Sequence, residues 1–499
     1  MPAPECNLLH EWLRSTAAER PHAPAIEEDG RITTFDQLYR QAEALALEFI
    51  AHGLRPGDRV ALLLPKTTGA VVAVFASLLA GAAYVPIHPR WPRERVQAVL
   101  RDCAARLLIE EENGARRITD LETGALLRDP RPGGDPEVAT DWPLLDSAAT
   151  AVLLFTSGST GAPKGVVLSH HAVAAFVRWT ADEFHIAASD RIACPAPLGF
   201  DLSTFDLFNM ALTGATAVLV PENIAWMPRF LASFAREARI SCWYSVPSIL
   251  AAMLEEGRFA ESAYPDLRLI LFAGEVFAPP ALVRLMAAVP DARCVNLYGP
   301  TETNVVTWFP VPRGYRQDDP LPIGLPCPYA ETVVDPARGE LLAGGSSLMD
   351  GYWNRPEETA RAFTVVDGQR YYRTGDCVSV APDGNYLFHG RLDRQIKRRG
   401  FRIELGEIEA ALLRHPQVIE AAAVAANDPA AGTRIVAFVR LRAGQDLALA
   451  EIRAHCARLL APYMLPDRFV VTDILMKGNR GKIDYAALAR AAEGNVRGD

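Results

Sequence analysis

Along the first four-fifths of the chain, amphipathic helical patterns alternate with short apolar runs. Residues 35–51 place apolar side chains at helical spacing, 59–64 form a short apolar run, 69–79 return to a helix pattern and 84–87 to a strand pattern. Such alternation predicts an α/β architecture, a large N-terminal domain of interleaved α/β subdomains with mainly parallel sheets. The stretch 128–146, rich in Pro, Gly and Asp, reads as a surface connection ahead of a strand at 151–155. A second break falls at Asp383-Gly384, where a hairpin ends in 386–389 and a polar, basic stretch begins. Beyond it the patterns predict a helix at 407–415, strands at 418–425 and 434–441, and a helix carrying Leu449, Ile452, Cys456 and Leu459. These elements suit a small mobile α+β C-terminal domain. The expected division is therefore 1–392 and 393–499.

The uncharged run 67–89 has enough residues to span a bilayer, but Gly81, Pro86 and Pro89 interrupt it, and a buried helix followed by a strand is the reading adopted. The formal charge of -9, from 51 basic and 60 acidic residues, argues against nucleic acid as a partner. The short run Lys397-Arg398-Arg399 does not change that. The eight cysteines are scattered without zinc-site spacing, and the N-terminus lacks a basic-then-apolar signal pattern. Reduced thiols, a cytoplasmic location and no membrane attachment are expected.

The strongest chemical signal follows the apolar run 151–155: Thr156, Ser157, Gly158, Ser159, Thr160, Gly161, Ala162, Pro163, Lys164 and Gly165. Four hydroxyls and three glycines offer close backbone approach and many donors, as a polyphosphate requires, and Lys164 adds a point charge. Pro163 stands where the common NTPase loop needs its second glycine, so this is a different phosphate loop. The string resembles the signature of the adenylate-forming superfamily. The resemblance continues in order from residue 32 to 484. Residues 34–38 and 79–87 look like the first motifs of amino-acid adenylation domains, with His88 departing from the usual Asp.

What the resemblance implies can be set out motif by motif. In Tyr298-Gly299-Pro300-Thr301-Glu302, Tyr298 would stack on adenine, Gly299 and Thr301 would line the nucleotide, and Glu302 would help hold Mg²⁺ with a hard oxygen. Asp376 would accept hydrogen bonds from the ribose hydroxyls. Arg391 would contact the nucleotide, and Asp393 would be the hinge between the two domains. Lys482, in Gly481-Lys482-Ile483-Asp484, would be the catalytic lysine, acting with Thr156 and Glu302 on ATP and Mg²⁺.

The carboxylate substrate is addressed by Asp201. In amino-acid adenylation domains the matching Asp pairs with the α-ammonium, since a buried cation needs a partner. Helix capping by Asp201 or Ser203 is the alternative use of that sequence. The rest of the implied pocket is Leu202, Phe205, Tyr244, Leu271, Ala273, Leu297, Val305, Val306 and Lys482. Only Asp201 and Lys482 are charged in this set. It resembles the pocket of free-standing proline-activating enzymes that feed pyrrole biosynthesis.

The activity so implied is formation of an aminoacyl adenylate from a small apolar amino acid, L-proline favoured, followed by transfer to a phosphopantetheine thiol. Fifteen residues follow Asp484, so the reading expects the thiol on a discrete carrier protein. The competing readings are a D-alanine:carrier protein ligase, an acyl- or aryl-CoA synthetase, which Asp201 disfavours, and a non-enzymatic scaffold. The stretch 333–347 is shorter than is usual in the family.

Overall fold

The computed structural model describes residues 7–112, 115–127, 142–158, 162–225, 227–257, 259, 263–428, 432–442, 447–477 and 483–494. The chain forms two compact units. The first comprises Met1–Pro89, Cys103–Phe155 and Gly165–Leu392; the second comprises Arg90–Asp102, Thr156–Lys164 and Asp393–Asp499.

Two large sheets dominate the first unit. In the nine-stranded sheet, six neighbours run parallel from Arg293–Tyr298 through Leu269–Ala273, Cys242–Ser245, Arg191–Cys194 and Thr216–Leu219 to Pro24–Glu28. Antiparallel strands close both edges. The eight-stranded sheet has a parallel centre, with Arg59–Leu63 between Ala83–Pro86 and Leu107–Glu112. The strands are short, apolar and buried on both faces, as expected where helices cover a parallel sheet.

Local signals explain several helices. Phe35–Ala51 starts at Thr34, whose side chain accepts from the Gln37 N–H while Gln37 returns a bond to the Thr34 N–H, a complete capping box. Thr68–Leu79 is buried all round, which accounts for its uncharged sequence without a membrane. No helix among the described residues is long and apolar enough to cross a bilayer. Most of the connection read at 128–146 lies outside the described residues.

The pattern did not anticipate the third sheet of the first unit. Ala330–Asp335, Glu340–Gly345, Phe363–Val366, Gln369–Val380 and Tyr386–Arg391 form an antiparallel five-stranded sheet. The shortened 333–347 stretch is a hairpin here. Asp335 caps its turn by accepting from the Ala337 and Gly339 N–H groups, and Gly339 takes φ +65°.

In the second unit, Val418–Asp428 pairs antiparallel with Gly432–Leu441, which in turn pairs parallel with Arg468–Val471. Ala422, Val424, Val436 and Phe438 pack on Leu475, Leu488 and Ala492. Leu405–Leu413 is the helix expected at 407–415, begun one half-turn earlier, and Leu449–Leu459 matches the helical spacing read from its apolar residues.

Candidate functional site

The period of a β-strand sorts the predicted pocket residues. Tyr244 pairs with Leu271, and Ala273 with Leu297, across parallel neighbours. Their side chains, with Val295, join one core that also contains Leu202, Phe205 and Val305. The alternate residues Trp243, Ile270, Phe272 and Cys294 join a separate core on the other face. Phe205, at the buried heart of helix Leu202–Thr213, meets the Tyr244 ring edge-on at 5.4 Å. Burial, then the charges of Asp201 and Asp206, push the Tyr244 hydroxyl far above its ordinary value, so it stays neutral.

Asp201 precedes that helix, yet its side chain makes no capping hydrogen bond. The turn before it is fixed by Ser203, whose hydroxyl donates to the carbonyls of Phe200 at 2.6 Å and Leu198 at 3.1 Å. Val306, predicted for the pocket, packs instead with Tyr298, Ile323, Leu341, Ala343 and Val378.

Tyr298 directly follows Leu297 on the same strand, so it faces the opposite way. Its hydroxyl donates to Asp376 Oδ2 at 2.5 Å, and Arg391 Nη1 donates to Asp376 Oδ1 at 2.6 Å. Burial first, and the Asp376 charge second, hold the Tyr298 hydroxyl well above its usual value, which keeps it a proton donor. Asp376 is 3% exposed, and the Thr374 hydroxyl takes its N–H at 3.0 Å. A Cβ on Gly299 would lie 1.7 Å from the Asn304 carbonyl oxygen, so only glycine permits this turn. Thr301, in the same turn, is half-buried. Glu302 is fully buried, and its Oε1 accepts from the Tyr352 hydroxyl at 2.7 Å.

The loop expected to receive phosphates, Thr156–Lys164, groups with the second unit. Ser159, Thr160 and Gly161 lie outside the described residues, as does Lys482. Ser157 donates to the Arg402 carbonyl at 2.7 Å and accepts from the Glu404 N–H at 3.2 Å. The Thr156 hydroxyl is buried with no hydrogen-bond partner among the described residues, an orphaned donor of the kind a phosphate oxygen would satisfy. A Cβ on Gly158 would lie 2.0 Å from the Ala162 carbonyl oxygen. Lys164 is buried, and Asp393 accepts from the Gln395 N–H at 3.1 Å.

Several polar residues escaped the sequence reading. Glu340 is buried and accepts from the Gly375 N–H at 3.0 Å and from Arg373 at 3.3 Å, bracing the turn that leads to Asp376. Arg95 and Glu407 form an ion pair with both side chains 2% exposed. Lys66 and Asp206 are buried ionisable groups near the amino-acid wall. Their only sequence signal is a charge inside an otherwise apolar helix or strand context, which also describes many surface positions.

The AMP-binding enzyme family model matches residues 13–353, and the AMP-binding enzyme C-terminal domain model matches residues 407–482. An L-proline–(L-prolyl-carrier protein) ligase of Pseudomonas fluorescens is 36% identical, covering 98% of this chain and 100% of its own. Another, of Streptomyces coelicolor, is 37% identical over 95% of each chain. The crystal structure of IdnL1 superposes with a TM-score of 0.79 at 30% identity, covering 95% of this chain and 100% of that one.

Proposed function

The chain belongs to the AMP-binding enzyme family, and on that premise we propose that it activates L-proline with ATP and passes the prolyl group to a separate carrier protein. The observation that carries this reading is the apolar wall of Tyr244, Leu271, Ala273 and Leu297, closed by Phe205, with the Asp201 carboxylate at the start of the helix that carries Phe205. A charged or strongly polar side chain would be left unpaired against such a wall, while a compact ring fits it.

In this reading Asp201 holds the α-ammonium. Leu202 and Val305 complete the apolar surroundings. Tyr298, Gly299 and Thr301 accommodate the adenine end of ATP, Asp376 accepts from the ribose, and Arg391 both neutralises Asp376 and approaches the nucleotide. The loop from Thr156 to Lys164 receives the phosphates. Glu302, a buried anionic oxygen donor, suits Mg²⁺, which commonly takes one or two carboxylates beside substrate phosphates. Bound there, Mg²⁺ would offset phosphate charge.

The substrate carboxylate attacks the α-phosphorus, the bond from that phosphorus to the bridging oxygen breaks, and pyrophosphate leaves. Lys482 stabilises the charge that builds up between carboxylate and α-phosphate. In the second half-reaction the carrier's thiol sulfur attacks the acyl carbon, the acyl–phosphate oxygen bond breaks, and AMP leaves while the thiol proton goes to solvent. We assign residues 1–392 to substrate binding and 393–499, turning about Asp393, to delivery of Lys482. The setting this chemistry implies is the cytoplasm, where ATP and carrier proteins meet.

The test is amino-acid-dependent pyrophosphate exchange with ATP and Mg²⁺ across the proteinogenic amino acids, D-alanine, and simple aryl and fatty acids. Strong exchange with L-proline alone is expected. A D-alanine maximum would overturn the substrate, and silence from every amino acid would overturn the role of Asp201.

A further inference from the structure

Lys66 is buried, 7% exposed, just after the strand Arg59–Leu63. Its ammonium donates to the carbonyl oxygens of Cys194 and, at 3.3 Å, of Ala196. Its backbone N–H donates to Glu222 Oε1 at 3.3 Å. One residue thus ties together three loops that leave the C-terminal ends of strands in two different sheets. The second of these, 195–201, leads from Cys194 to Asp201.

At the start of that loop the Cys194 carbonyl also accepts from the Val220 N–H at 3.3 Å. Pro195 and Pro197 lack N–H groups, so the backbone offers few bonds there, and the Phe200 N–H to Pro197 carbonyl bond at 3.0 Å organises only its later half. Ser203 secures the end next to Asp201, and Lys66 secures the beginning.

An ammonium this deeply buried is costly without an opposing charge. The charges of two carboxylates, Asp206 and Glu222, act on it. Asp206 is 1% exposed, and both its carboxylate oxygens are buried without a hydrogen-bond partner among the described residues. Burial lowers the affinity of Lys66 for its proton, and the charges of Asp206 and Glu222 work against that loss. Burial likewise raises Asp206, opposed by Lys66. A neutral apolar side chain would avoid the whole cost, yet it could not bond two carbonyl oxygens.

We propose that Lys66 is a positioning residue for the amino-acid site: its ammonium fixes the 195–201 loop that presents Asp201, and Asp206 is one of the two carboxylates that oppose its charge. The proposal rests on the reading of Asp201 as partner of the substrate ammonium.

The test uses the full chain in pyrophosphate exchange with the amino acid that gives the strongest signal, comparing Lys66→Met, Asp206→Asn and Asp201→Asn. Lys66→Met is expected to raise the amino-acid KM about tenfold or more, with the ATP KM and kcat changed by less than about threefold. Asp206→Asn, which keeps the shape, is expected to shift the amino-acid KM the same way by about threefold or more. Should Lys66→Met fail to fold, Asp206→Asn decides alone. An unchanged amino-acid KM in these variants, with a raised one in Asp201→Asn, would overturn the proposal and leave the Asp201 reading standing. Equal rises in both KM values would reduce Lys66 to general support of the fold and overturn it too. An unchanged KM in Asp201→Asn would remove the Asp201 reading itself.

Discussion

Leu297 and Tyr298 are consecutive residues of one strand, and they belong to two kinds of site. Leu297 points into an apolar wall with Tyr244, Leu271 and Ala273, held by shape alone. Tyr298 points to the other face, into a carboxylate clamped by two directional bonds, from its own hydroxyl and from Arg391. The wall is built from many small dispersion contacts, so losing part of it costs a fraction and leaves the remainder intact. The clamp has few parts, each charged or buried, so losing one leaves another unpaired. On the proposed reading, substrate choice can drift along the wall while nucleotide binding stays fixed by the clamp.

The largest expected effect breaks the clamp. Asp376→Ala would leave the Arg391 guanidinium and the Tyr298 hydroxyl without their acceptor, and breaking a buried pair costs about 3 kcal/mol or more. The kcat/KM for ATP should fall by about a hundredfold or more, with the amino-acid KM changed far less. Steady-state exchange kinetics with each substrate varied in turn would decide it. A loss shared equally by both substrates would mean that the two faces are not separable.

The two faces also differed in how readily the sequence revealed them. The wall follows from strand periodicity once the strands at 242–245, 269–273 and 293–298 are known, because alternate residues must share a face. The motif around Tyr298 and Glu302 was legible through its resemblance to a family motif and its place after the loop at 156–165. Parallel strands and buried helices were legible because their apolar runs are nearly continuous. Of the antiparallel sheet from 330 to 391 only the hairpin turning at Asp383-Gly384 was read, since the other strands mix exposed and buried positions irregularly and the pairing of 340–345 with 369–380 joins segments distant in sequence. Glu340, Lys66 and Asp206 were invisible because a charged residue discloses its burial only through neighbours far along the chain. Val306 shows the limit of carrying positions across a motif: next to Val305, it turns toward Tyr298 instead.

A smaller effect is expected on the wall. Leu271→Ala should lower kcat/KM for L-proline by about tenfold, in line with the loss of 1–3 kcal/mol for missing apolar contact in a pocket, and should admit larger apolar amino acids. The readout is the exchange profile across the aliphatic amino acids, together with the ATP KM, which should hold constant. A variant that lost ATP affinity along with proline would collapse the distinction between the faces.

The smallest effect concerns two buried histidines that burial keeps neutral. His10 and His170 face each other edge to face at 5.6 Å, and His170 Nδ1 accepts from the Leu9 N–H at 3.2 Å. Burial first, and nearby positive charge second, pull His10 down to about 4 and His170 to about 3, from an ordinary 6.5. Both are therefore neutral in the folded chain, while the unfolded chain takes up their protons as pH drops below 6.5. Stability contributed by this pair is complete above pH 6.5 and is lost as pH falls toward the folded values, by at most about 1.4 kcal/mol per pH unit for each histidine. His170→Asn keeps an acceptor for the Leu9 N–H and removes one titrating group. Denaturant unfolding at pH 7.5, 6.5 and 5.5 should give a shallower decline for this variant than for the parent. Parallel declines would place the acid sensitivity elsewhere in the chain.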